Sequence, residues 1–251
     1  MKNTLASLNK KICHDFESKK KLENRIRNDL LDAVSWGHVK VVKRILHSPD
    51  NNIRTKYWQN ALLDAVAKGH EKIVTEILSA EEIKITVPFL ELAFSDAITN
   101  RHPLVVKAIL DSSLPKLRMK CLEDGLSDAT FYGEAAIAKE IILSAGSKIK
   151  GTSLEIALLD ASISDHSSVI REILLSAGYK IRMEYIEQAL TKAAAVSHLN
   201  VVKTIIEIIG KKMSLKCIEE ALSSAAANGE IEIIKFLLIF KDQKIQQHSS
   251  F

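Results

Sequence analysis

The sequence predicts an all-α chain, a solenoid of stacked helix–turn–helix repeats, and three observations predict it. An alanine recurs at Ala33, Ala65, Ala97, Ala129, Ala161, Ala193 and Ala225, every 32 residues with no insertion. Three further columns stay aliphatic in all seven copies, from Val41 to Ile233, from Ile45 to Leu237 and from Leu46 to Leu238. Only nine Gly and four Pro interrupt a chain dominated by Ile, Leu, Ala, Lys and Glu, a mixture that favours helix over strand.

The elements follow in order. Residues 1–27 make a basic N-terminal segment in which Leu5, Leu8 and Ile12 share one helical face, suited to capping the first repeat. Residues 28–240 hold the seven repeats. In the second, Trp58, Ala61, Leu62, Ala65 and Val66 form one apolar stripe and Ile73, Val74, Ile77 and Leu78 another, with Gly69-His70 breaking the chain between them. Each repeat therefore reads as two antiparallel helices, about 12–14 and about 9–11 residues long. The first helix is expected to begin near residues 54–56 of its copy, with Thr152 and Glu155 as a capping box and Pro88 in a first turn. One such pair cannot bury both stripes. Stacked pairs can, each buried Leu, Ile or Val contributing ~1.5–3 kcal/mol. Residues 241–251 form a C-terminal tail. Near it Phe236, Ile239 and Phe240 replace mostly polar residues of earlier copies, so either the tail folds over this end or it is a self-association surface.

Charge and cysteine usage narrow the function classes. Residues 1–30 hold eight Lys/Arg against four Asp/Glu, and the other 221 residues hold 27 of each sign. The net +4 thus describes a basic arm on a neutral body, which argues only weakly for nucleic acid. Cys13, Cys121 and Cys217 form no close pair, so a reducing, cytoplasmic setting is expected. No run approaches the length of a membrane span, and Met1 to Lys21 lacks the apolar stretch of a secretory signal. Phosphate-binding Gly loops, His-Glu-x-x-His, Cys-x-x-Cys and Gly-x-Ser-x-Gly patterns are all missing, so neither a cofactor nor an enzymatic activity is expected.

The step from alanine to Gly37-His38 and Gly69-His70, the helices opened by Val41-Val42-Lys43 and Val201-Val202-Lys203, and the ending Leu174-Leu175-Ser176-Ala177-Gly178 resemble the ankyrin repeat. The resemblance covers about residues 28–240. It departs from the family in period and in its opening, where Asn60-Ala61-Leu62-Leu63 stands instead of Thr-Pro-Leu-His. The segment of the family's projecting β-hairpin reads as a short loop, so the resemblance implies ankyrin-like stacking with reduced hairpins. It implies a protein–protein interaction scaffold that binds on the concave face built by the first helices. Degenerate Lys- and Ile-rich arrays of this kind also resemble effectors that intracellular bacteria deliver into host cells, which makes a host protein an alternative partner.

On that face the candidate partner-binding residues are Trp36, Tyr57, Asp64, Phe89, Asp96, Asp128, Phe131, Tyr132, Asp160 and Tyr185. Asp32, Asp64, Asp96, Asp128 and Asp160 recur as an acidic row, with Trp36, Phe131, Tyr132, Ile163 and Val196 beside it just before the turn. Carboxylates next to aromatic anchors suit a peptide or helix bearing basic and apolar residues. The competing reading is that the aspartates make local helix-end or inter-repeat bonds and that Tyr57, Phe89, Cys121, Tyr185 and Cys217 pack on neighbouring repeats.

Two lysine ladders, one through Lys84, Lys116, Lys148, Lys180, Lys212 and Lys244 and one through Lys43, Lys107, Lys139, Arg171, Lys203 and Lys235, offer an alternative function in polyanion binding to nucleic acid or phospholipid. Glu91, Glu123, Glu155, Glu187 and Glu219 run alongside as their counter-charges. His38, His70, His102, His166 and His198 recur too, but stacked repeats stand ~8–10 Å apart, too far for shared metal coordination at about 2 Å. They are expected to be turn residues, and no metal site is expected.

Overall fold

The structure, a computed structural model, describes residues 20–48 and 54–249, so the cap helix expected on Leu5, Leu8 and Ile12 lies outside the described residues. Among the described residues the chain is all-helical, with no strand. It divides into two compact units, Met1–Lys116 and Leu117–Phe251, a division that the uninterrupted 32-residue register does not announce.

The first unit contains a helix over 20–35 (α1), then α2 (Val39–Leu46), α3 (Thr55–Ala67), α4 (Glu71–Ser79), α5 (Val87–Thr99) and α6 (Pro103–Ser113). There α3 packs on α5, while α4 packs on α2 and on α6. The second unit contains α7 (Met119–Phe131), α8 (Ala135–Ala145), α9 (Gly151–Ile163), α10 (Ser167–Ala177), α11 (Met183–Ala195), α12 (Leu199–Ile209), α13 (Leu215–Ala227) and α14 (Ile231–Ser249). Its odd-numbered helices pack in the series α7, α9, α11, α13, its even-numbered helices in the series α8, α10, α12, α14, and each even helix packs on the odd one before it.

Sequence determines this register at both ends of every pair. The helices α3, α5, α7, α9, α11 and α13 begin 32 residues apart, at 55, 87, 119, 151, 183 and 215, and each is 13 residues long. The recurrent alanine is buried throughout, and its carbonyl closes the helix. In α3, for example, the His70 N–H donates to Ala65 O at 2.8 Å and Gly69 N–H to Val66 O at 3.1 Å, the paired bonds of a Schellman ending. That ending needs a left-handed residue. Gly37, Gly69, Gly133 and Gly229 supply it at φ of 69–75°, and Arg101, Asp165 and Ser197 adopt it at 57–65°.

Two local expectations are corrected. Thr152 does not cap α9: Lys150 holds the cap position without a side-chain bond, and Thr152 lies inside the helix. The tail does not fold over the last repeat either, because residues 241–249 continue α14, which reaches 19 residues. Pro88 does sit in the first turn of α5. The link from α8, α10 and α12 to the next helix is one 3₁₀ turn, over Gly146–Lys148, Gly178–Lys180 and Gly210–Lys212.

Candidate functional site

Each unit is bound internally by contacts that reach from one helical pair to the next, and these decide which side chains remain for a partner. The turn histidines are one set. His102 donates from Nε2 to Ala67 O at 3.2 Å, and His166 donates to Phe131 O at 3.1 Å. His198 uses Nδ1 to reach Ser162 O at 3.0 Å. In the first and second cases the ring lies over the turn glycine of the preceding pair, Gly69 and Gly133, so close that a Cβ there would stand 2.9 Å and 2.7 Å from the ring. Among the described residues no group of three or more His, Cys, Asp or Glu is placed to hold a metal ion.

A second set is the glutamate column, expected as counter-charge to the lysine ladders. Glu155, buried on α9, instead accepts from Arg182 through Nε at 2.9 Å, Nη2 at 3.0 Å and the backbone N–H at 3.2 Å. The Arg182 hydrogen bond holds this carboxyl below the usual carboxylate range against the opposing effect of desolvation, and Glu155 raises Arg182 in turn. Glu187 accepts from Ser214 Oγ at 3.2 Å across the same 27-residue interval, and Gln59 donates to Thr86 Oγ1 at 3.5 Å in the first unit. A glutamate or glutamine followed 27 residues later by Arg, Ser or Thr was the sequence signal for these clips.

Part of each lysine ladder is engaged as well. Lys180 donates to Gly146 O at 2.6 Å, and buried Lys244 donates to Gly210 O at 3.2 Å and Lys211 O at 3.0 Å. Each ammonium thereby satisfies carbonyls at the end of the preceding helical pair. On the even helices Lys43 pairs with Glu76 at 2.8 Å, Lys139 with Glu172 at 3.3 Å and Arg171 with Glu207 at 2.6 Å, all between consecutive pairs.

The expected partner residues divide between the units. In the first, Trp36 is 76% exposed at the end of α1. Tyr57 is half-buried beneath Arg27 and Lys56, whose charges lie 5.4 Å and 5.0 Å from its ring centroid, and Arg27 holds its phenol below the ordinary value. Asp64 accepts from Ser35 Oγ at 2.8 Å and pairs with Lys68 at 3.2 Å, so this member of the acidic row makes local bonds. Phe89 and Asp96 are half-buried on α5.

In the second unit Tyr185 is half-buried, with the Arg182 guanidinium 4.5 Å from its ring centroid, and Cys217 is buried. Burial, followed by Glu187 and Glu220, pushes the Cys217 thiol up to about 12, which removes it as a nucleophile at neutral pH. The remaining four gather on one surface. Phe131 closes α7 at 72% exposure and meets Tyr132 edge-to-face, with ring centroids 5.3 Å apart. Exposed Ile163 closes α9 and exposed Val196 caps α11, so three consecutive odd-numbered helices each end on an apolar side chain. One turn earlier on α7 and α9 stand the exposed carboxylates of Asp128 and Asp160. Desolvation and the neighbouring Asp124 raise the Asp128 pKa.

Further along this face, an open groove of about 350 Å³ lies between α11 and α13, lined by Glu184, Glu187, Gln188, Thr191, Lys192 and Glu220. Sequence reading did not single out this groove, because its three glutamates occupy three different positions of the repeat and form no single column. The candidate surface is therefore an apolar edge with carboxylates beside it. No helix among the described residues is long and apolar enough to cross a membrane. Comparison with family models, with curated proteins and with solved structures finds no match to this chain.

Proposed function

We propose that the chain is a binding protein built as an ankyrin-like solenoid, and not an enzyme, whose second unit captures a protein segment combining Lys or Arg with large apolar side chains. The observation that carries this reading is the alignment of Phe131, Tyr132, Ile163 and Val196 along consecutive helix ends, beside Asp128 and Asp160. Exposed aromatic and aliphatic side chains in one row give a partner apolar area to bury, and aromatic anchors of this kind supply most of the affinity at protein interfaces.

Electrostatics supports a basic partner. The C-termini of α7, α9 and α11 lie at this edge and bias it toward positive charge, although the end carbonyls Phe131 O and Ser162 O already accept from His166 and His198. Asp128 and Asp160 add carboxylate charge, and a cation beside Asp128 would oppose the desolvation and the Asp124 charge that raise its pKa. Polyanion binding draws less support, since Lys180 and Lys244 donate to backbone carbonyls while Lys43, Lys139 and Arg171 already face glutamates.

Panning a random peptide library against the chain and against the double variant Asp128→Lys/Asp160→Lys tests the proposal. The expected result is enrichment of sequences mixing Lys or Arg with Leu, Ile or Phe on the original chain, falling by about tenfold or more on the variant. Equal enrichment on both, or selection of acidic peptides, would reject it.

A further inference from the structure

The last repeat of the second unit exposes what its predecessors bury. Ile142, Leu174 and Ile206 on α8, α10 and α12 are at most 6% exposed, yet Leu238, next in their column, is 46% exposed. Ile149, Ile181 and Met213 are buried, whereas Ile245 is 40% exposed. Two further columns, fully buried in the interior, end on half-buried Leu222 and Ile234. The end face of α13 and α14 is thus a surface of inter-repeat type that no described residue covers, because residues 241–249 continue α14. It is not the surface expected around Phe236 and Phe240. Phe240 packs back against Gly210, and Phe236 lies under Lys203, 5.9 Å from the ammonium; only Ile239 of that trio is exposed.

We infer that this end face docks on the same face of a second copy, with the two α14 helices antiparallel about a twofold axis near Leu238 and Ile239. Two observations favour a second copy over an unrelated partner. In an antiparallel pairing Ile231 and Ile234 fall opposite Ile245 of the other copy, which continues the apolar seam on both sides of the axis. Exposed Lys235, which also pairs with Glu232 of its own helix at 2.9 Å, falls opposite exposed Asp242, so opposite charges meet twice across the twofold.

Size is compatible. A 19-residue helix is about 29 Å long and a 13-residue one about 20 Å; with each helix about 10 Å wide, the face covers about 500 Å² per copy, roughly 1,000 Å² in total, the lower bound for a specific interface. This inference is independent of the proposed partner surface, whose residues lie on α7, α9 and α11.

Sedimentation equilibrium of the 251-residue chain across the micromolar range tests it. The expected result is a reversible monomer–dimer equilibrium whose Kd rises about tenfold or more in Leu238→Glu. Lys235→Asp and Asp242→Lys should each weaken the dimer, and the double reversal should restore it, since only a twofold contact pairs these positions with each other. All three positions are solvent-facing in the monomer, and circular dichroism checks that each variant folds; if Leu238→Glu does not, the charge series decides alone. A strict monomer, a mass that grows past the dimer with concentration, a dimer indifferent to Leu238→Glu, or a double reversal that fails to restore association would each overturn the inference.

Discussion

Replacing Gly133 by alanine probes the contact that joins one helical pair to the next. Gly133 has φ +72°, where an L-residue costs ~1–2 kcal/mol. The new Cβ would also stand 2.7 Å from Nδ1 and 2.8 Å from Cε1 of His166, so the ring must move and surrender its 3.1 Å bond to Phe131 O, worth about 1 kcal/mol. The expected loss is roughly 2–3 kcal/mol. Gly229 is the internal control: its φ is +75°, but a Cβ there meets nothing within 4 Å, so Gly229→Ala should lose only the backbone contribution. Urea unfolding followed by circular dichroism reads both, and a double-mutant cycle isolates the ring. Once His166→Ala has removed the imidazole, Gly133→Ala should cost about 1 kcal/mol less than in the original chain. Equal costs at Gly133 and Gly229, or no coupling to His166, would refute the reasoning.

The other predictions concern separate parts of the structure. Because Glu155 titrates below its unfolded value of about 4.3, its pairing with Arg182 contributes fully above that value, and the contribution is lost as pH falls through the lowered folded pKa. Glu155→Gln should therefore lower the urea midpoint at neutral pH, with the gap from the original chain closing as acidification protonates the Glu155 carboxylate; a constant gap would contradict this. Leu110→Asp places a carboxylate at a position only 1% exposed on α6, and should split unfolding into more than one transition as the first unit fails locally. A single sharp transition would count against repeat-by-repeat stacking. The buried Cys217, with its thiol pushed up to about 12, should resist iodoacetamide near pH 8 in the folded chain and react once unfolded, as peptide mass spectrometry would show.

Periodicity made the architecture legible. The alanine column marks where each odd helix closes, and the aliphatic columns mark what is buried, because both follow from backbone geometry repeated every 32 residues. Helical phase puts Trp36, Phe131, Tyr132, Ile163 and Val196 on the surface, and the structure exposes all five. Side-chain partnerships were harder to read. Glu155 resembled a surface glutamate in a polar column, and only its distance from Arg182 shows that it is buried and clipped. Lys244 looked like the last rung of a basic ladder, yet its ammonium is folded onto two carbonyls. Tyr57 and Tyr185 match Phe131 as potential anchors in sequence, but Arg27 and Arg182 lie against their rings. Long polar side chains choose among several neighbours, and sequence spacing does not rank those choices. The division at Lys116 is equally invisible, since helix starts at 87 and 119 keep the register across it.

The most direct measurement is a nuclear magnetic resonance titration of the isotope-labelled chain with a peptide that forms a helix with one Leu-rich and one Lys-rich face. The account predicts saturable shifts concentrated at Phe131, Tyr132, Ile163 and Val196, abolished by Asp128→Lys/Asp160→Lys and only modestly weakened by salt. Shifts confined to other surfaces, or undiminished in the double variant, would contradict it.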